Sequence, residues 1–242
     1  GCKVAQVYLE ALRRGIYPHR YIRNRAVISP EEQLKLAQSR VSIVGAGGLG
    51  GHIVLLLGRI GVGHLIVIDK DVFDETNLNR QLLSNEGNIG QSKAEQAVIQ
   101  MNRVNSDIEF TCIPEFITME NGYEILKNHD IVIDALDGIE IRKEIGQICA
   151  ELKIPYVYGA IAGWYGQVAT IFPGDATLDI LYKSSGAKGK EVELGNPSFT
   201  PAMIASIQVS EAVKMIIGEG DLIRNAFLHI DLLSNEFEVF EL

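Results

Sequence analysis

A glycine turn set between an apolar strand and a helix constrains this chain more than any other feature. Val41-Ser42-Ile43-Val44 is short, apolar and β-branched, the pattern of a buried parallel strand. Gly45-Ala46-Gly47-Gly48-Leu49-Gly50 follows, and Leu49 to Ile60 is predicted as a helix. Glycines at such a turn let backbone approach a phosphate, and the free N–H groups of the helix N-terminus bind it. A second apolar run, Leu65-Ile66-Val67-Ile68, ends at Asp69, 24 residues beyond Gly45. An acid about 20 residues past the first glycine is placed to grip a ribose hydroxyl. Strand, glycine turn, helix, strand and acid together predict an adenine-nucleotide site and nothing narrower.

The residues after Asp69 narrow it. Asp69-Lys70-Asp71 is followed by Asn77-Leu78-Asn79-Arg80-Gln81 and then Gln91-Ser92-Lys93. An NAD-dependent oxidoreductase, the first alternative, has no evident use for so many polar groups past the second strand. A nucleoside triphosphate does: guanidinium gives forked phosphate contacts and ammonium a point charge, which suits Arg80 and Lys93. At these residues the chain resembles the ThiF/MoeB/HesA family, the bacterial relatives of ubiquitin-activating enzymes. The family's GxGGLG, D-x-D, N-L-x-R-Q and G-x-x-K elements stand as Gly45–Gly50, Asp69 with Asp71, Asn77–Gln81 and Gly90–Lys93. Upstream, Arg20-Tyr21-Ile22-Arg23 resembles its R-Y-x-R element. Downstream, Ile133-Asp134-Ala135-Leu136-Asp137 resembles its strand-end acid. The resemblance runs from about Arg20 to the C-terminus.

The resemblance implies an ATP-dependent adenylyltransferase. Its substrate would be the C-terminal carboxylate of a small ubiquitin-like sulfur-carrier protein, activated as an acyl-adenylate. It implies nucleotide contacts from Gly45, Gly47, Gly48, Gly50, Asp69, Asp71, Asn77, Arg80, Gln81 and Lys93. Arg23, Arg80, Lys93 and Asp137 would serve the chemistry, with Asp137 holding Mg²⁺ as a carboxylate beside a triphosphate does. Arg23 would reach the triphosphate of a second subunit in a homodimer. The chain departs from the family in three places. Gly138 stands where asparagine usually follows the acid. No Cys-x-x-Cys pair exists, and His19, His52, His64, His129 and His229 are scattered, so no zinc is expected. The crossover segment Leu181–Thr200 has no cysteine. Cys112 and Cys149 lie among apolar neighbours and are expected to be inert core thiols, while Cys2 sits on the N-terminal arm. These departures leave room for the same chemistry on a short peptide, or for a non-catalytic nucleotide- or carrier-binding module.

A length of 242 residues, 47% of them hydrophobic, suffices for one full α/β core. The net charge of −9 argues against a general nucleic-acid surface, and against adenylation of a tRNA base. Residues 1–25 hold six basic side chains against Glu10 alone, a basic arm expected near bound phosphates or else at a solvated surface. They lack the apolar core of a secretory leader, and no stretch suits a membrane span. Three cysteines with no pairing pattern fit a reducing compartment, so a cytoplasmic protein is expected.

Helices are expected over Val4–Arg14, from the Ser29-Pro30-Glu31-Glu32 start to Ser39, and over Gln91–Asn105, Asn121–Lys127, Ile139–Leu152 and Pro201–Ile217. Further strands are expected at Ile108–Cys112, Ile131–Ile133, Pro155–Tyr158, Gln167–Phe172, Phe227–Ile230 and Glu236–Phe240. Alternation of strand and helix, then its loss after Tyr158, predicts a Rossmann-like, doubly wound α/β fold whose mostly parallel sheet ends in an antiparallel extension. The organisation expected is an N-terminal helical arm over residues 1–40 and a single adenylation domain over 41–242.

Overall fold

The structure is a computed structural model that describes residues 4–183 and 194–242. Eight strands form one sheet: β1 (Arg40–Val44), β2 (His64–Ile68), β3 (Glu109–Ile113), β4 (Ile131–Asp134), β5 (Tyr156–Ala162), β6 (Tyr165–Ile171), β7 (Ala226–Asp231) and β8 (Glu236–Glu241). Their spatial order is β3-β2-β1-β4-β5-β6-β7-β8. The pairs from β3 through β5 are parallel, and those from β5 through β8 are antiparallel. The expected mostly parallel sheet with an antiparallel C-terminal extension is therefore the fold.

Strand alternation explains the two layers. Val41, Ile43, Leu65, Val67, Ile131 and Ile133 face one side, where α3 (Gly48–Ile60), α4 (Lys93–Val104) and α8 (Phe199–Ile217) cover them. Val44, Ile68, Val132, Tyr156 and Tyr158 face the other, under α5 (Met119–Leu126) and α6 (Ile139–Leu152). Strand order reverses between β1 and β4, which leaves a crevice at their carboxyl ends.

Element ends follow local chemistry. α2 (Pro30–Gln38) starts in a full capping box: Glu32 N–H donates to Ser29 Oγ, and Ser29 N–H to Glu32 Oε2 at 2.6 Å. The helix expected from Gln91 begins at Lys93, because Ser92 caps it by accepting from Glu95 N–H. The helix expected from Asn121 begins at Met119, where Thr118 and Asn121 form another capping box. β5 ends four residues after the expected end and β6 starts two residues before the expected start, since a turn at Gly163 (φ 58°) joins them as one hairpin. A short helix α7 (Thr177–Leu181) precedes the crossover, where the sequence carried no period long enough to show it.

The N-terminal segment, with α1 (Val4–Arg13) and α2, packs back on the sheet's helical layer. Lys35 Nζ donates to the Ile217 carbonyl at the end of α8, and Gln33 Nε2 to the Ile60 carbonyl at 2.8 Å. Arg20 pairs with Asp107 at 3.1 Å and donates to the Val104 carbonyl, while Tyr21 accepts from Asn105 at 2.9 Å. Arg13 and Arg14 pair with Glu10. The basic arm therefore does not lie beside this chain's own phosphate crevice. Its charges among the described residues serve local pairing, or face solvent as Arg23 and Arg25 do.

Candidate nucleotide and carboxylate site

The crevice holds a cavity of about 590 Å³, within the range of small-molecule sites. Its floor is the glycine turn. Gly45 has φ 105°, and a Cβ there would stand 2.4 Å from the Ala135 carbonyl oxygen. That close approach of backbone requires glycine. A Cβ on Gly50 would meet the Gly45 carbonyl oxygen at 1.9 Å, so Gly50 shapes the turn from beneath and does not line the cavity. Gly47 and Gly48 do line it, with their N–H groups at the start of α3.

One wall comes from the β2 end. Asp69 spends both carboxylate oxygens on backbone: Ala46 N–H donates at 2.7 Å and Asp71 N–H at 2.8 Å. These bonds pin the glycine turn to the end of β2. Burial pushes the Asp69 carboxyl up, against the pull of those N–H groups and of Lys93. Lys93 opens α4 with its side chain 10% exposed and its Nζ 3.3 Å from Asp71 Oδ2. Arg80 Nη1 donates to the Thr76 carbonyl and Asn79 Oδ1, both at 2.9 Å. No acid pairs with Arg80 among the described residues, so its charge is available.

Gln81 and Asn196 also line the cavity, and each buries an amide oxygen with no partner among the described residues. Unsatisfied buried acceptors are rare in native folds, and these two fit a ligand that brings hydroxyl or N–H donors. The predicted Asn77 is not at the cavity. It is buried in the preceding turn, where Asp74 N–H donates to its Oδ1 at 3.0 Å, and it shapes the loop that carries Arg80.

The other wall comes from the β4 end. Asp134, fully buried, lies 3.0 Å from the Arg142 guanidinium. Burial pushes the Asp134 carboxyl up, and Arg142 opposes that. Burial works hardest against the Arg142 charge, but Asp134 together with Tyr158, Tyr182 and Tyr156 outweighs it and holds the guanidinium protonated. Asp137, three residues on, is exposed and has neither ion pair nor hydrogen bond among the described residues. A single open carboxylate at the rim of a cation-lined cavity fits Mg²⁺ shared with a triphosphate better than an all-protein cage. Accordingly, no group of three or more metal-ligating side chains occurs among the described residues. Gly138 starts α6 without a side-chain cap.

The structure thus brings Gly45, Gly47, Gly48, Asp69, Asp71, Arg80, Gln81, Lys93 and Asp137 to one cavity. It leaves Gly50 and Asn77 behind that surface and Arg23 away from it. Sequence reasoning missed Lys70, Glu115, Phe116, Arg142 and Asn196. Lys70 lay inside a quoted motif; its Nζ stands 4.6 Å from the centre of the Phe116 ring. Arg142 and Asn196 come from distant segments that carry no local signal. Cys149 is buried, and burial pushes its thiol up to about 12. Cys112 is partly buried and shifted the same way by burial. Cys2 and residues 184–190 of the crossover lie outside the described residues. No described helix is long and apolar enough to cross a membrane.

The chain is similar to known proteins. The chain is 32% identical over 214 residues to the SAMP-activating enzyme E1 of Haloferax volcanii, covering 87% of this chain and 79% of that protein. It is 33% identical over 199 residues to the sulfur carrier protein ThiS adenylyltransferase of Bacillus subtilis, covering 80% of this chain and 59% of that one. It spans 46% of the maize adenylyltransferase and sulfurtransferase MOCS3-1, at 32% identity. Among solved structures, Escherichia coli MccB with MccA-N7isoASN superposes with a TM-score of 0.78 at 20% identity, over 92% of this chain and 71% of MccB. At that identity the likeness concerns the fold. The ThiF family model matches residues 21–242, and the chain belongs to the ThiF family.

Proposed function

We infer that this protein uses ATP to adenylate the C-terminal carboxylate of a small ubiquitin-like sulfur-carrier protein. The observation that carries the reading is the pairing within one cavity of an uncommitted acid, Asp137, with the phosphate-type cations Arg80 and Lys93. The relatives named above as carrier-activating enzymes support the choice of substrate.

In the reaction, a carboxylate oxygen of the carrier forms a bond to the α-phosphorus of ATP. The bond from that phosphorus to the bridging oxygen breaks, and its electron pair leaves with pyrophosphate. A carboxylate is already ionised at neutral pH, so no general base is needed. The requirement is charge neutralisation and alignment. Arg80 offers its fork to the departing phosphates, and Lys93 its ammonium beside Asp71. Mg²⁺, held by Asp137, would neutralise phosphate oxygens when bound. Backbone N–H groups at Gly47 and Gly48 add donors that cost no reorganisation. Arg23, exposed and clear of its own cavity, would complete the site of a second copy across a two-fold dimer.

Carrier-dependent ATP–pyrophosphate exchange tests the reading, because it reports reversible adenylate formation alone. Exchange is expected with a Gly-Gly-ending carrier, and Mg-ATP, not NAD, is expected to raise the melting temperature. Exchange with a short peptide but no carrier would move the substrate to the peptide class. Stabilisation by NAD alone would replace the reading with an oxidoreductase. A fully active monomer by sedimentation would remove Arg23 from the chemistry.

A further inference from the structure

Arg142 belongs to no motif quoted above, yet it makes the densest set of polar contacts at the cavity. It is 6% exposed. Its Nε lies 3.0 Å from Asp134 Oδ2. Its Nη2 donates to the Leu136 carbonyl and, at 3.1 Å, to the Gly159 carbonyl of β5. Its Nη1 donates to the Tyr182 hydroxyl at 3.0 Å, which in turn donates to the Tyr158 hydroxyl at 3.0 Å.

Leu136 is thereby clamped at both ends. Its N–H donates to Asp134 Oδ1 at 2.9 Å, and its carbonyl accepts from Arg142. The next residue is Asp137, which makes no contact of its own. The one after is Gly138, which starts α6 without a side-chain cap. The clamp on Leu136 therefore fixes the backbone that leads into Asp137.

We propose that Arg142 is the positioning residue for Asp137, and that Tyr182 fixes Arg142 in turn. The inference rests on Asp137 being the Mg²⁺ carboxylate of the reading above. Lysine cannot substitute: one ammonium on a flexible stem cannot span Asp134, the 136 carbonyl, β5 and Tyr182 as a planar fork does. Outer partners that orient a metal ligand alter metal affinity by about 10–100-fold. Tyr182 closes the stretch that leads from α7 into the crossover, so the clamp also ties that stretch to the loop of Asp137.

The test is binding of an ATP analogue with a methylene between the α and β phosphorus atoms, measured calorimetrically on the full chain across a Mg²⁺ titration. Arg142→Lys is expected to raise the half-saturating Mg²⁺ about tenfold, with metal-free analogue affinity unchanged within about twofold. Tyr182→Phe, which keeps the ring, is expected to raise it by about threefold at unchanged melting temperature, and it carries the test if Arg142→Lys fails to fold. Asp137→Asn should remove the Mg²⁺ dependence, and adding Arg142→Lys to it should change nothing more. Variants that lose melting temperature but keep the wild-type Mg²⁺ midpoint would make Arg142 a fold support only and overturn the proposal, as would independent effects in the double variant. A wild-type chain that binds the analogue without Mg²⁺ dependence overturns the role of Asp137 and the proposal together. One that binds no analogue overturns the adenylation reading itself.

Discussion

The two walls of the cavity hold their acids in opposite ways. At the β2 end, Asp69 gives both oxygens to backbone N–H groups and Asp71 faces Lys93. At the β4 end, Asp134 is sealed against Arg142 while Asp137 stands open. On the first wall both acids already have partners. The second divides labour over three residues: one acid stabilises the loop and the other is left free to meet a ligand. A charge is cheap to keep uncommitted only where water reaches it, so the free acid sits at the rim and the structural one at the strand end.

Removing the free acid should separate activity from stability most sharply. Asp137→Ala is expected to lower carrier-dependent exchange by roughly 10³-fold, as loss of a main electrostatic stabiliser does. Its melting temperature should stay within about 1 °C, because Asp137 has no partner to lose. Arg80→Ala should lower exchange alike, with a stability cost of about 1 kcal/mol from its lost bonds to the Thr76 carbonyl and Asn79 Oδ1. A large loss of stability in Asp137→Ala would break the contrast between the two acids.

The sealed acid should give the reverse result. Asp134→Ala leaves Arg142 buried and unpaired, a change worth about 3–5 kcal/mol of stability in urea unfolding. A variant as stable as wild type would show that water or a neighbour replaces the pair. On the β2 wall, Asp69→Ala removes two backbone hydrogen bonds at a partly buried site. Its expected cost is about 1–3 kcal/mol, with weaker ATP binding because the glycine turn loosens. If ATP affinity alone falls, Asp69 belongs with Asp137 as a group kept for ligand.

Thiol chemistry sharpens the same distinction between buried and free groups. With its thiol pushed up to about 12 by burial, Cys149 stays protonated at pH 8. Its alkylation by iodoacetamide should be undetectable in the native protein and rapid in urea. Cys112→Ser and Cys149→Ser should leave exchange near normal in whatever fraction folds. Exchange that dies with a conservative cysteine change would move the chemistry to a thiol. The smallest effect is expected at Gly138→Asn. An asparagine there can cap α6, for a gain of a few tenths of a kcal/mol. Its methylene would press on Ile141 at 3.2 Å, so the gain in melting temperature measures how far that side chain yields.

The parallel core was legible before any coordinates. β-branched runs separated by helical periods specify buried parallel strands, and the glycine turn marks where the first βα unit bends. Capping residues were partly legible: Ser29 with Pro30 and Glu32 announced α2, whereas Thr118, set between Ile117 and Met119, did not stand out as a cap. α7 was not legible, since five residues give no period.

What the sequence alone determined was everything that depends on near neighbours along the chain. The glycine turn, Asp69 at the end of the next strand, and the loop carrying Arg80 and Gln81 reach the cavity because short segments lead from one to the next. The tertiary structure decided the rest, because it depends on which strands become neighbours. β1 lies beside β4 although some 90 residues separate them, and only that pairing brings Asp137 opposite Lys93. Only the placement of α6 over β4 and β5 turns Arg142, one charged residue among several on its helix, into the clamp on Leu136. Asn77 and Asp134 show the converse. Both sit inside or beside a recognised pattern, and the fold assigned them to backbone and core because burying a polar side chain is costly unless it is paired.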